Sequence, residues 1–322
     1  MRGRPLLRTF LALLCCAAAP ALAEDFPSRP LRIVVPFGPG GVADITARIL
    51  AERMAAPLGQ PVLVENKPGA GGVAASLAVA KAPPDGYTLL LVSNANAVST
   101  TLFRSQAMDA AAEFAPISTI GFFDLVFVAR PGAVPQTMAA WIARARANPG
   151  KLNIATINPG STQNLAAELL RMTAGFDAQI IPYKATPEVT AAVLAGNADL
   201  AVEVLAPLLG QIRSGALQAL AVASARRSAF LPDLPTVAES GIDGYEANSW
   251  NGLAAPARTP PATIERLNRE VNAAVEAPEV ARRLRELGIE PRAGTPDALR
   301  RQLVSDTAKW KAVIERAKIP LQ

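Results

Sequence analysis

Histidine is absent from the 322-residue chain, and its two cysteines, Cys15 and Cys16, are adjacent near the N-terminus. Without histidine there is no Ser-His-Asp triad and no Cys/His zinc site. Beyond residue 16 there is no thiol nucleophile and no disulfide framework. Asp, Glu and Lys chemistry survives, but the commonest general base is missing. Aromatic residues are scarce, at 5%, and nowhere interleave with a dense basic patch, which argues against nucleic acid as a partner. Past the N-terminal segment, no apolar run reaches the roughly 20 residues that a membrane-spanning helix needs.

The first 23 residues have the three parts of an export signal: Arg2, Arg4 and Arg8, an apolar stretch over 10–18, and the small-residue site Ala21-Leu-Ala23. Cleavage is expected after Ala23, releasing a periplasmic chain that begins at Glu24. Leu13-Leu14 before the cysteines is a poor lipoprotein context, so simple cleavage is favoured over a lipid anchor. The leader holds three arginines and no acid, so its removal lowers the formal charge from +5 to +2.

Length suggests about two domains. Strand-like and helix-like patterns alternate, which predicts α/β layers with largely parallel sheets. Strands are expected over 33–35, 62–65, 88–92 and 125–129, with helices from Val42 and over 73–81. A second series follows: a helix near 135–147, strands at 152–156, 180–181, 200–204 and 217–222, and a helix after Thr162. A strand over 245–254 crosses back, and two C-terminal helices complete the chain. Leu299, Leu303, Trp310 and Ile314 form the core stripe of the last helix, with Arg300, Arg301 and Lys309 solvated. Two such series joined by crossing strands suggest a hinged two-lobe, monomeric protein. Lobe one is placed at 24–128 plus 248–322 and lobe two at 129–247.

Residues Leu31-Arg-Ile-Val-Val-Pro-Phe-Gly-Pro-Gly-Gly-Val-Ala-Asp44 read as a buried strand, a Pro/Gly loop and a helix start. Gly40 and Gly41 allow close backbone approach where the N–H groups of a helix N-terminus point outward, which favours an anion. No Walker lysine follows, so a carboxylate is the better guest than a nucleotide phosphate. A plain strand-to-helix turn is the alternative. Asn158-Pro-Gly-Ser-Thr162 repeats the device in the second series. There Ser161 or Thr162 either caps the helix or turns a hydroxyl to a ligand. Glu203 interrupts the apolar strand 200–204, so it is either paired, with Lys184 as one possible partner, or faces a cleft. Gly69-Ala-Gly-Gly72 lacks the full G-x-G-x-x-G pattern, so no cofactor is expected.

Seven segments together resemble the Bug family, the extracytoplasmic solute-binding receptors of tripartite tricarboxylate transporters. They are Pro36-Phe-Gly-Pro-Gly-Gly-Val-Ala-Asp44, Val64-Glu-Asn-Lys-Pro-Gly-Ala-Gly-Gly72, Ala82-Pro-Pro-Asp-Gly-Tyr-Thr88, Ala147-Asn-Pro-Gly-Lys-Leu152, Ile181-Pro-Tyr-Lys184, Leu231-Pro-Asp-Leu-Pro-Thr-Val-Ala-Glu-Ser-Gly241 and Trp250-Asn-Gly-Leu-Ala-Ala-Pro256. The resemblance implies a type II-like periplasmic-binding-protein (Venus flytrap) fold: two α/β lobes with a hinge of crossing strands. It also implies a small carboxylate in the cleft and transporter subunits as partners. The implied contacts fall on Phe37, Gly40, Gly41, Asp44, Ser93, Asn94, Gly160, Ser161 and Thr162, and on the segment after Lys184. Asn164, Ala185 and Glu203 stand where the family often has histidine, glycine and aspartate. They lie near the implied pocket, as does the atypical stretch over 95–101.

Two rival readings accompany this one. One is a ligand-presenting component for a signalling receptor. The other is an exported hydrolase or lyase using Asp44 or Glu203, against which stand the missing histidine and the missing Gly-x-Ser-x-Gly elbow.

Overall fold

Aliphatic residues that cannot be left in water build the innermost strands. In the computed structural model, which describes residues 26–69, 72–103, 108–133 and 135–321, β1 (Leu31–Val35) runs parallel between β2 (Val62–Asn66) and β3 (Thr88–Ser93). The expected export signal and its cleavage site lie outside the described residues. The crossovers are α1 (Val42–Leu58) and α2 (Val73–Ala80). α1 buries Ile49, Leu50, Met54 and Leu58 against the sheet and stops at Gly59, whose left-handed backbone (φ 66°) suits glycine. The polar residues after β3 form α3 (Asn94–Leu102), a helix absent from the sequence reading.

The sheet does not stay parallel. After the short α4 (Ala110–Glu113) comes β4 (Phe114–Ala129), a 16-residue strand. Up to Asp124 it pairs antiparallel with β9 (Asn248–Pro256) and with β10 (Ile289–Pro291). From Leu125 it pairs antiparallel with β7 (Leu200–Val204), and from Val126 with β8 (Gln218–Val222). The second series repeats the parallel arrangement, with β5 (Asn153–Ile157) between β6 (Gln179–Tyr183) and β7. The strand order is β2-β1-β3-β9-β4-β7-β5-β6, with β8 and β10 on β4. The chain therefore has two lobes, parallel at their outer edges and antiparallel at the centre, where β4 leaves the first lobe and β9 returns to it. The expectation of largely parallel sheets is corrected at that centre, and β4 starts eleven residues before the expected 125. Pro116 lacks an N–H, and the pairing register shifts at 116–118 and 119–121, which hides the strand's period.

Helices cover both faces of each lobe. α5 (Met138–Ala147) and α6 (Thr162–Ala174) lie on one face of the second lobe, and α7 (Thr186–Leu194) and α8 (Leu205–Arg213) on the other. The C-terminal region holds three helices rather than two: α9 (Pro261–Glu276), α10 (Pro278–Glu286) and α11 (Pro296–Ala317). α11 belongs to both lobes. Leu299 and Leu303 join the core of the first, while Trp310, Val313 and Ile314 join that of the second, together with Val98 and Leu102 of α3. Lys309, expected to be solvated, instead pairs with Asp306 at 3.1 Å and lies over the Trp310 ring.

Asp306 fastens α11 to β9. It is 1% exposed, and one oxygen accepts from the Trp250 indole N–H at 2.6 Å and from Gln302 at 2.9 Å. Replacing it strands a buried indole N–H and removes the partner of Lys309. Asp306→Ala should therefore cost on the order of 2–4 kcal/mol, read from the urea unfolding midpoint. A loss below about 1 kcal/mol would show that α11 docks by apolar packing alone.

Candidate functional site

The loop between β1 and α1 is built around one left-handed glycine. Gly40 (φ 80°) turns its N–H onto Asp44 Oδ2 at 2.8 Å, four residues along and inside the first turn of α1. Asn66, at the end of β2, donates to the Phe37 carbonyl (3.0 Å) and to Asp44 Oδ1 (2.9 Å), while Arg48 grips the same carboxylate. Burial alone raises the Asp44 pKa, but the bonds from Arg48, the Gly40 N–H and Asn66 outweigh it and hold the group below its ordinary value. Asp44 is thus a charged clasp that shapes the loop. Helical bonding begins with Ile45 N–H to the Gly41 carbonyl, and no side chain caps the helix, so the N–H groups of Val42 and Ala43 have no intrahelical acceptor.

The second lobe repeats this construction. Gly160 (φ 77°) directs its N–H to Asn164 Oδ1, again four residues along, at 3.1 Å. Asn164 also donates to Thr156. Ser161 is the cap of α6: its hydroxyl accepts from the Asn164 N–H and donates to the Ile157 carbonyl. Ser161 therefore spends its hydroxyl inside the loop. Thr162 makes no side-chain hydrogen bond among the described residues. At α3, Ser93 caps with its hydroxyl on the Ala95 N–H, and Asn96 accepts from the Ser93 N–H.

These three helix starts meet at one cavity of about 360 Å³. Its walls are Phe37, Gly41, Val42 and Ala43 from the first loop, Ser93, Asn94, Ala95 and Val98 from α3, and Ile157, Gly160, Ser161, Thr162 and Gln163 from the second lobe. Phe123, Val204, Ser249 and Asn251 close it. No described lining residue is lysine, arginine or an acid. Asn94 (1% exposed) and Asn251 (4%) are buried in this wall, and each has one amide atom, Asn94 Oδ1 and Asn251 Nδ2, without a protein partner. A larger depression of about 630 Å³, on the second lobe around Ile212, Phe230 and Leu231, has no such unpartnered polar atom among its described lining residues.

Seven residues singled out in the sequence line the cavity: Phe37, Gly41, Ser93, Asn94, Gly160, Ser161 and Thr162. Gly40, Asp44 and Asn164 lie behind it as loop clasps. Ala185 is the exposed N-cap of α7, away from the lining. Glu203 is completely buried beside two lining residues, Gln163 and Val204. Its Oε2 accepts from Gln163, Thr186 and the Val204 N–H, while Oε1 has no protein partner. Lys184, considered as its ionic partner, is exposed and makes no ion pair with it among the described residues; its backbone N–H donates to Glu188 instead. Burial pushes the Glu203 carboxyl above its ordinary range, against the three hydrogen bonds that favour the anion. Sequence reading missed Gln163, Ser249 and Asn251. The last two stand two apart on β9, on one face, with buried Trp250 between them on the other, a period that was available to it.

This two-lobe α/β architecture is that of periplasmic solute-binding proteins. A family model described as the tripartite tricarboxylate transporter family receptor matches residues 46–319, and the chain belongs to that family. Its members are solute-binding receptors rather than enzymes, and the family is periplasmic. Protein BugT of Bordetella pertussis is 37% identical over 299 residues, 92% of each chain. Among solved structures, the periplasmic binding protein BugD is 32% identical with a TM-score of 0.74, covering 92% of this chain and 100% of that one. Rpa4515 of R. palustris, solved with adipate, is 31% identical with a TM-score of 0.77, covering 92% and 99%.

The raised pKa of Glu203 has a definite sign in stability. Unfolded, the group titrates near an ordinary glutamate, about 4.3. Folded, it keeps its proton to higher pH, so within that window the native state binds more protons and stability falls as pH rises. Glu203→Gln should remove this slope, gaining stability over the wild type toward neutral pH and losing the advantage on acidification. Urea midpoints measured from about pH 4 to 8 check it; parallel profiles for the two proteins would contradict it.

Proposed function

We propose that the protein is an exported periplasmic receptor that captures a small organic carboxylate in the interlobe cleft and delivers it to a membrane transporter of the tripartite tricarboxylate type. The observation that carries this reading is the meeting of three helix N-termini, those of α1, α3 and α6, at a cavity whose described walls hold no basic side chain. Free backbone N–H groups at helix starts and the helix dipoles favour an anion without a cation to neutralise it. The adipate bound by a relative 31% identical supports a carboxylate. In this reading Phe37, Gly41, Ser93, Asn94, Gly160 and Thr162 touch the ligand. Gly40, Asp44, Ser161 and Asn164 hold the loops that present the N–H groups. Glu203 acts from behind the second lobe's wall, and Ala185 stands outside it at the start of α7. The lobes, 24–128 plus 248–322 and 129–247, close on the ligand as a monomer, pivoting where β4 changes partners between Asp124 and Leu125.

The test is a thermal-shift panel of mono-, di- and tricarboxylates, amino acids and aromatic acids. A ligand present at about 100 times its Kd should stabilise the protein by roughly 2.7 kcal/mol, a rise of about 5 °C for a chain of this size. If only neutral sugars or cations stabilise it, the reading fails.

Gly41 has an extended backbone (φ −78°), and a Cβ there would meet only the Gly38 carbonyl, at 3.7 Å, so Gly41→Val should fold. Its branched side chain stands where the ligand must reach the α1 N-terminus, and binding measured by calorimetry should be lost. Thr162→Ala removes one hydroxyl and should cost about 1–2 kcal/mol, seen in stopped-flow mainly as faster release. Wild-type affinity in a folded Gly41→Val protein would move the anion away from α1.

Export is tested by N-terminal sequencing of periplasmic extract, which should begin at Glu24. An intact Met1, or lipidated Cys16 in membranes, would overturn that assignment.

A further inference from the structure

Asn94 is the first residue of α3 and lies in the cavity wall, 1% exposed. Its amide is locked: Nδ2 donates to the Asn248 carbonyl, at the start of the returning strand β9, at 2.7 Å. Exchanging the two amide atoms would set oxygen against oxygen at that distance, so the orientation is fixed by the protein itself. The atom left over is therefore an acceptor, and Asn94 Oδ1 has no protein partner. A buried acceptor without a donor is costly, and it rewards whatever supplies one.

Behind Gln163 and Val204, outside the lining, lies Glu203, whose Oε1 is a second buried oxygen without a protein partner. The nearby basic candidate, Lys184, is exposed and not paired with it. The donors of the cavity include backbone N–H groups at the helix starts, the Thr162 and Ser249 hydroxyls and the unpartnered Asn251 Nδ2. The cleft thus offers donors for a carboxylate and, beside them, the unpartnered acceptor oxygen of Asn94.

We infer that the ligand is a monocarboxylic acid bearing a hydrogen-bond donor, a hydroxyl or an ammonium, near its carboxylate, and that Asn94 Oδ1 is the acceptor that selects it. This rests on the carboxylate-receptor reading above and narrows it. A second carboxylate at the place of that donor would set an anion against the Asn94 oxygen. The donor of a hydroxy or amino acid completes Asn94 instead.

The experiment is calorimetry of the full mature chain with matched acids: butyrate, 2-hydroxybutyrate and 2-aminobutyrate against succinate, 2-hydroxysuccinate and aspartate. At least one substituted monoacid should bind ten times or more tighter than butyrate and than its diacid counterpart, a difference of about 1.4 kcal/mol. In Asn94→Ala the ratio of substituted acid to butyrate should fall toward one. A general loss of binding or fold weakens both acids alike and leaves the ratio interpretable, and the wild-type series decides the ligand class without any variant. Succinate or butyrate binding as tightly as the substituted monoacids would overturn this inference while leaving the carboxylate receptor standing. A substituted-acid preference that survives unchanged in Asn94→Ala would remove Asn94 as the selecting acceptor. Failure of every acid in the series to bind would overturn this inference, and the carboxylate reading falls with it only if the wider thermal-shift panel also contains no stabilising acid.

Discussion

The cleft depends on one backbone interaction made twice. In each lobe a strand ends, a Pro-Gly pair follows, the glycine takes a left-handed conformation, and its N–H is held by the side chain four residues on. Gly40 with Asp44 and Gly160 with Asn164 occupy corresponding places after β1 and β5. The bond closes the loop over the first helical turn, and residues of that turn line the cavity. An L-residue at either glycine would strain the turn. At Gly160 it would also collide with Leu102 of α3. The difference between the clasps is charge. Asp44 is an anion held by Arg48, whereas Asn164 is neutral and held by Thr156. The first-lobe loop is thus tied to β2 by a charged network, and the second only by hydrogen bonds within its own lobe.

The lobes are joined by more than the two crossing strands. α11 contributes to both cores, and α3, which starts in the cavity, ends packed on the loop that carries Gly160. Any closing motion about β4 and β9 must therefore carry α3 and the second half of α11 along or slide them over α6. Protein cores rearrange between discrete packings more readily than they deform continuously. The Asn94–Asn248 bond lies at the point where the α3 N-terminus, the returning strand and the ligand cavity coincide. A ligand that completes Asn94 would act directly on the junction of the lobes.

Much of this was legible in the sequence, for physical reasons that can be named. The outer strands are short, aliphatic and bounded by Pro, Gly and Asn, so β1, β2, β3, β5 and β7 stand out, as do the helices that follow Gly41 and Ser161. The centre was harder to read. β4 carries Pro116, Ser118, Thr119 and Gly121 in the stretch that pairs with β9 and β10, and its register shifts erase the alternation a strand should show. α3 was hidden because Asn94, Asn96, Ser99, Thr100 and Thr101 are poor helix formers; a capping box and burial against α11 stabilise it. At the site, Pro-Gly repeated before a helix marked both loops. The same spacing also carries the clasps, since Asp44 and Asn164 each stand four residues past the glycine. Which way those side chains turn is decided by Asn66, Arg48 and Thr156, two of them on other strands, and linear spacing does not show it.

The polarity of the walls is tied to the way the anion is held. A receptor that neutralises a carboxylate with arginine gains affinity from a strong, long-ranged charge and accepts almost any anion that fits. Backbone N–H groups at helix starts act at short range and fall off within a turn. They fix where one carboxylate lies, and the remaining walls decide which substituents it can carry. In this chain those walls are amides, hydroxyls and aliphatic and aromatic side chains, with a buried acid behind them. Such walls discriminate by hydrogen-bond complementarity, and the cost of leaving a buried acceptor unpaired is larger than the small gain of adding one more contact. If the anion lies there as proposed, the selectivity of the cleft is set by the amide side chains around it, and the helix starts supply the common part of the grip.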